Sequence, residues 1–336
     1  MRKKLNITVL VDQGEIPLSD PEFMYPPEEE AITEYHVIET LRELEHNVSV
    51  LGADKNVEEM VRGFKKYKPE LIFNLTEHLE GDRKFDKNIA SFIEMMGIPF
   101  TGAGSTGLLL TRDKRLCKQL LSLHRIRVPN FVFFPFKKSI KIPKSIRFPL
   151  VVKPVLEDSS EGISNASIVE SEDTLKERVK FVHEGWKQGA IAEEFIEGRE
   201  FYVGVLGNKI LQVLPIRECR FDYQGGEGPR LATYRVKWNS QYRKKWKITF
   251  DFADIETQIL KKIERTCKKV FKILKLKDYA RIDIRLTSNG DIYILEANAN
   301  PDIGYGDEFA ESAEKAGISY QDLIQQIINH ALKRYS

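Results

Sequence analysis

The segment Tyr279–Leu295 alternates apolar and polar residues on both sides of Ser288-Asn289-Gly290-Asp291, the pattern of a β-hairpin closed by a tight turn. Asn-Gly suits the two central positions of a type I′ turn, where φ is positive. Strand side chains repeat every two residues, so such a turn fixes which residues share a face. With Asn289 and Gly290 as the loop, paired residue numbers sum to 579, and Asp283 faces Glu296 while Arg281 faces Asn298. One face then carries Arg281, Asp283, Arg285, Glu296 and Asn298; the other carries Ile282, Ile284, Leu286, Tyr293, Leu295 and Ala297 and belongs to a core. Two carboxylates directly across a strand pair repel each other unless a cation lies between them. Asp283, Glu296 and Asn298 offer oxygen donors without sulfur or imidazole, a set suited to Mg²⁺ completed by water or phosphate oxygens. The competing expectation is a solvated sheet face on which Arg281 and Arg285 neutralise the acids.

Upstream, the pattern predicts an α/β fold. Residues 5–11 read as a buried strand, and Glu28–Asn47 as a helix with Ile32, Tyr35, Ile38, Leu41 and Leu44 on one face. Strands at Val48–Leu51, Leu71–Leu75 and Ile98–Thr101 alternate with helices at Val57–Tyr67 and Asn88–Met96, which predicts a parallel sheet. The loop Asp12–Pro27 and the glycine-rich turn Thr101–Gly107 lie at strand carboxyl ends, where such sheets bind ligands. After a helix at Thr111–His124, a tract rich in Pro, Phe and Lys between Pro129 and Pro149 opens a second unit. It contains a strand at Phe148–Lys153, a helix at Thr174–His183 and a strand at Ala190–Phe195. Phe201–Leu206 and Lys209–Leu214 flank a turn at Gly207-Asn208, and the long polar stretch Arg217–Lys247 predicts a mobile lid. Asp254–Leu274 and Tyr320–Leu332 are amphipathic helices.

Composition removes several classes. Lys+Arg 52 against Asp+Glu 50 leaves a net charge of +2, too balanced for a nucleic-acid binder held by bulk charge. Tyr223, Tyr234, Trp238, Tyr242 and Trp246 interleave with basic residues, but charge balance favours a lid over a base-stacking platform. The apolar run at 5–11 is interrupted by Asn6 and Thr8 and stops at Asp12, too short for a secretory or membrane segment. Cys117, Cys219, Cys267 and the six histidines lack metal-ligand spacing, so the expectation is a reducing, cytoplasmic compartment. Lys153 ends a strand and precedes the hydroxyl-rich loop Ser159-Ser160-Glu161-Gly162, which can aim N–H groups at phosphate but has too few glycines for a P-loop.

Taken in order, four motifs resemble the ATP-grasp superfamily, and within it the D-alanine–D-alanine ligases. They are Asp113-Lys114; Val152-Lys153-Pro154 with Ser159-Ser160-Glu161-Gly162; Glu193-Glu194-Phe195-Ile196-Glu197-Gly198-Arg199-Glu200; and Arg281-Ile282-Asp283 with Leu295-Glu296-Ala297-Asn298. The likeness runs from Asn74 to the end of the chain. It implies three parts: an N-terminal α/β domain at 1–110, a central lid at 111–190, and a C-terminal antiparallel-sheet domain at 191–336 with a substrate loop at 217–247. It implies an ATP-dependent carboxylate–amine ligase working through an acyl phosphate on a small-molecule acid and amine, without nucleic acid or membrane, and compatible with a homodimer. Lys114, Lys153 and Ser159 would hold phosphates; Glu193, Phe195, Ile196, Glu200 and Leu295 would bind the nucleoside. Asp283, Glu296 and Asn298 match ligands of two Mg²⁺ ions, with Mn²⁺ as a substitute, and Arg281 matches the residue that stabilises the tetrahedral oxyanion. Tyr234-Arg235-Val236-Lys237-Trp238 resembles the loop that closes over substrate, with Lys237 toward phosphate.

The amino-acid half departs from the family pattern. Trp238 stands where the family has a tyrosine, no N-terminal glutamate motif is evident beyond Glu15 or Glu22, and Asn74–Asp82 does not reproduce the usual acidic segment. Asp302 and Asp307 replace a glycine and a serine, and an acid there would repel an acceptor's carboxylate. The expectation is a ligase for an amino acid or small peptide other than D-alanine pairs, with a cationic acceptor. Authentic D-alanine–D-alanine ligation and a catalytically silent ATP-binding regulator stay open.

Overall fold

Thr8 and Leu10 are as fully buried as Ile7, Val9 and Val11, so the first strand is covered on both faces. This strand, β1 (Asn6–Asp12), lies between β2 (Asn47–Ala53) and β3 (Leu71–Asn74) in a parallel sheet of order β2-β1-β3. The structure is a computed structural model that describes residues 3–13, 33–157, 162–221, 230–233, 235–236 and 239–335. On one face of the sheet Val37, Ile38 and Leu41 of the helix Thr33–Glu43 pack with Ile7, Val9 and Val11. On the other, Met60, Phe64, Ile89 and Ile93 pack with Leu10 and Ile72. The strand expected at Ile98–Thr101 is reduced to one parallel bridge between Ile72 and Phe100.

The single helix expected at Thr111–His124 is two, Ser105–Arg112 and Lys114–Leu123. Asp113 leaves the helical region at φ −82°, ψ 97°, and its carboxylate accepts a hydrogen bond from the Leu116 N–H at 2.9 Å. Capping the second helix this way satisfies an otherwise orphaned donor. The new helix buries Lys114 and Lys118, one turn apart.

A second, antiparallel sheet has the order β4-β7-β5-β6, from β4 (Phe131–Phe134), β5 (Leu150–Pro154), β6 (Ile168–Val169) and β7 (Ala190–Glu194). Its core joins Phe134, Leu150 and Val152 to Leu175, Val179 and Val182 of the helix Glu172–Trp186. β4 lies in the Pro- and Lys-rich tract, where no strand alternation shows in the sequence.

The third sheet is antiparallel, running β11 (Ile248–Phe252), β10 (Arg217–Phe221), β8 (Arg199–Gly207), β12 (Tyr279–Leu286), β13 (Ile292–Ala299), with β9 (Leu211–Val213) also on β8. Gly207 pairs with Leu211, so the expected two-residue turn at 207–208 is a three-residue loop. The stretch expected to be an open lid supplies β10 and the helix Ser240–Trp246. The C-terminal helix Tyr320–Tyr335 returns to the first sheet, where Leu323, Ile324, Ile327 and Ile328 share a core with Ile7 and Leu71. Buried Asp278 clasps these parts together, accepting hydrogen bonds from Gly102 N (2.8 Å), Asn208 Nδ2 (2.8 Å) and Arg334 Nη2 (2.9 Å). Among the described residues no helix is long and apolar enough to cross a membrane.

Candidate active site

β12 and β13 bring Asp283 opposite Glu296 and Arg281 opposite Asn298, as the sequence predicts, but by a different route. The loop has three residues, with the Thr287 N–H donating to the Asp291 carbonyl, the Asp291 N–H donating to the Thr287 hydroxyl, and Gly290 at φ +76°, a conformation that costs glycine little. Pair sums therefore start at 578: Leu286 faces Ile292, Arg285 faces Tyr293 and Ile284 faces Ile294. A β-bulge at Leu295 then adds one residue to β13 and restores 579. The two one-residue departures cancel from Asp283–Glu296 onward, through Ile282–Ala297, Arg281–Asn298 and Ala280–Ala299, and fail to cancel only between the turn and the bulge. Ile292 and Ile294 are the buried residues, whereas Tyr293 and Leu295, expected in the core, are only half-buried.

Around the carboxylates the charges form three groups. Arg281 spans Asp283, with Nε 2.8 Å from Oδ1 and Nη2 3.2 Å from Oδ2, and reaches Glu308 at 3.3 Å; Asn298 Nδ2 donates to Asp283 Oδ2 at 3.2 Å. Burial works against the Arg281 charge, but Asp283 and Glu308 override it and hold the guanidinium well above its ordinary range. Lys114 Nζ lies 2.7 Å from Glu296 Oε1 and also donates to the Glu157 carbonyl. The cations that the facing acids demand are thus Arg281 and Lys114, whereas Arg285 goes elsewhere.

The second group is buried Glu193 between Lys118 at 3.3 Å and Lys153 at 3.2 Å. Burial alone would raise the Glu193 carboxyl; the two lysines hold it below its usual value. Lys118 Nζ also donates to the Leu295 carbonyl at 2.7 Å. In the third group Arg285 clasps Glu200 Oε2 at 2.6 and 3.1 Å and donates to the Ile196 carbonyl at 2.8 Å, while the Tyr202 hydroxyl donates to Glu200 Oε1 at 3.0 Å. Phe195 lies under the guanidinium of Arg285, 5.1 Å to the ring centre.

Arg281 and Asn298 also line a cavity of about 550 Å³ that reaches Glu77 of the first sheet's loops and Asp302 and Asp307 beyond β13. Its other arginines are engaged elsewhere: Arg83 with Glu77 (3.0 Å), Arg112 with Asp86, Arg217 with Glu311 (2.9 Å), and Arg243 donating to the Val236 carbonyl (3.1 Å). Among the described residues no cation pairs with Asp302 or Asp307. Burial, then Asp302, pushes the Asp307 carboxyl up to about 7.

The structure therefore gathers Lys114, Lys153, Glu193, Leu295 and Glu296, and next to them Arg281, Asp283 and Asn298; Phe195, Ile196 and Glu200 meet at Arg285. Ser159 and Lys237, with Glu15, Glu22 and Trp238, lie outside the described residues. No described group of three or more His, Cys, Asp or Glu is placed to hold a metal, since the third donor beside Asp283 and Glu296 is an amide. Two carboxylates and an amide on one sheet face, already neutralised by a lysine and an arginine, nevertheless fit a hard divalent cation. Sequence reasoning missed Lys118. The available signal was its i+4 spacing from Lys114, on the apolar side with Cys117 and Leu121.

Residues 125–329 match the family model for the D-ala D-ala ligase C-terminus. The chain is 31% identical over 304 residues to the uncharacterized protein y4sG of Sinorhizobium fredii, covering 89% of this chain and 87% of that one. It is 30% identical over 294 residues to the D-alanine–D-alanine ligase of Aquifex aeolicus, covering 87% and 92%. Its fold matches that of the D-alanine–D-alanine ligase of Bacillus anthracis complexed with ATP, at TM-score 0.77, 20% identity and 99% coverage of both chains. It also matches the VanG D-Ala:D-Ser ligase of Enterococcus faecalis, at TM-score 0.71, 19% identity and 98% and 100% coverage. With its ATP-grasp architecture, the chain belongs to the D-alanine–D-alanine ligase family of ATP-dependent ligases.

Proposed function

We propose that this protein joins a carboxylic acid to an amine at the expense of ATP, through an acyl phosphate, and that its amine substrate carries a positive charge in place of the carboxylate of D-alanine. The observation that carries the ligase reading is the facing of Asp283 and Glu296 beside Lys114, Lys153 and Arg281, at the edge of a cavity large enough for small acids. Lys114 and Lys153 supply positive charge for the phosphates of ATP. Mg²⁺, in one or two ions held by Asp283, Glu296 and Asn298 with Mn²⁺ as a substitute, would neutralise charge on the transferred phosphoryl group. The acid's oxygen takes the γ-phosphoryl group and ADP departs; the amine nitrogen then attacks the acyl carbon and phosphate leaves. Arg281, fixed by Asp283 and Glu308, presents a charged donor to the oxygen that becomes negative at the tetrahedral stage. Glu193, Phe195, Ile196, Glu200 and Leu295 serve the nucleoside, and Ser159 and Lys237 the phosphates. The 111–190 segment acts as a lid over ATP, between the 1–110 and 191–336 domains, and its closure would keep water from the acyl phosphate.

Asp302 and Asp307, which pair with no cation among the described residues, support the altered acceptor, because a carboxylate placed beside them would be repelled. The test is release of ADP and phosphate with Mg²⁺ and ATP across D- and L-amino acids, diamines and dipeptides, singly and in pairs, with Glu296→Ala as control. Substrate-dependent release that vanishes in the control is expected, with basic acceptors preferred. Equal or greater activity with D-alanine alone would return the protein to ordinary D-alanine ligation. No release with any pair, although ATP binds, would favour a silent nucleotide-binding regulator.

A further inference from the structure

We infer that Lys118 is the positioning residue that holds the β13 bulge, and through it the pairing of Glu296 with Asp283. The inference rests on the metal-dependent reading above. The hairpin's three-residue loop sets pair sums of 578, and continued without a bulge that register would place Leu295 opposite Asp283 and Glu296 opposite Ile282. Glu296 would then point into the core with Ala297's present neighbours, and the two carboxylates would no longer share a face, since a one-residue slip flips every side chain. The bulge is therefore a requirement of the site.

A bulge interrupts the regular ladder and leaves its extra residue to find other partners. Here the partner is Lys118, whose ammonium lies 2.7 Å from the Leu295 carbonyl. Lys118 is 2% exposed, and a buried ammonium is costly unless it is paired. Glu193, at 3.3 Å, supplies that pairing from the neighbouring sheet, and is itself held by Lys153. One turn earlier on the same helix, Lys114 pairs with Glu296, the residue after the bulge. The helix Lys114–Leu123 thus grips β13 at two successive residues, and its Asp113 cap fixes where both lysines emerge. A lysine is long enough to reach across from helix to strand and to bond a carboxylate and a carbonyl at once. The same ammonium joins three elements: the capped helix, the bulged strand, and through Glu193 the sheet that carries Lys153.

The experiment measures Mn²⁺ affinity of the full chain by electron paramagnetic resonance in the presence of ADP, with amide hydrogen exchange across 292–298 as a readout independent of turnover. Lys118→Met is expected to weaken Mn²⁺ binding by about 30-fold, the range for residues that orient metal ligands, and to speed exchange in 292–298. Lys118→Arg, which keeps charge and reach, is expected to restore affinity to within about threefold. If Lys118→Met does not fold, Lys118→Gln, too short to reach the Leu295 carbonyl, is measured in its place with the same outcomes. Wild-type affinity with unchanged exchange in the neutral variant overturns the role of Lys118. Failure of the wild-type protein to bind Mn²⁺ with ADP would instead overturn the metal-dependent reading itself.

Discussion

Replacing Asp307 by Asn changes how stability depends on pH. Asp307 is half-buried at the edge of the cavity lined by Arg281 and Asn298, and burial, followed by the charges of Asp302, Glu308 and Glu311, raises its carboxyl from the ordinary 3.8 to about 7; a hydrogen bond from the Gly304 backbone acts the other way. A raised value means that the folded protein holds the proton more tightly than the unfolded chain does. Its contribution to stability is complete below about pH 4 and is lost as pH rises through about 7. A rise of about three in pKa corresponds to at most about 4 kcal/mol, and solvent in the open cavity cuts this to about 1–2 kcal/mol. Asparagine keeps the shape and carries no titrating proton. Urea unfolding of wild type and Asp307→Asn between pH 3.5 and 8.5 should therefore show the wild type losing about 1–2 kcal/mol relative to the variant, with equal m-values. Stability curves parallel within about 0.5 kcal/mol would show that Asp307 is ionised at neutral pH like a surface acid, and that the cavity edge is better solvated than its burial implies.

Three further outcomes follow from the packing of the site. Asp278→Ala strips Gly102, Asn208 and Arg334 of their shared acceptor and should cost about 3–5 kcal/mol in urea unfolding, as loss of one partner of a buried ion pair does. Gly102→Ala should cost about 1–3 kcal/mol and lower the thermal midpoint: φ is +84° and a Cβ would stand 2.4 Å from Asn300 Oδ1, the acceptor for Ala103 N–H. A double-mutant cycle on Arg285→Met and Glu200→Gln should give a coupling of about 1–3 kcal/mol by urea unfolding, and a value near zero would show that the pair is solvent-screened.

The hairpin part of the candidate site was legible because its residues sit on strands, where a period of two states which side chains share a face. Alternation with an assumed two-residue turn puts Arg281, Asp283, Glu296 and Asn298 on one face, and the placement holds because the β13 bulge offsets the longer loop. The face assignment failed at Tyr293 and Leu295, since turn length and bulge position are set by backbone geometry and by a helix more than 170 residues away, which contributes Lys118. The helix break at Asp113 left only the weak signal of an aspartate ahead of Lys114, and β4 is hidden among prolines and lysines because its pairing with β7, rather than its own pattern, makes it a strand.

The sequence by itself determined the parallel βα start, the hairpin, the four ordered motifs and the charge types available to the site, because local periodicity and residue chemistry act within a few positions along the chain. Only the tertiary structure decided the partners. Arg285 clasps Glu200, not the facing acids; Lys114 neutralises Glu296; and Glu193 is locked between two lysines. Each choice is made between elements distant in sequence, where a buried charge must take whichever counter-charge the packing brings within reach, and no pattern along one strand or helix records that distance.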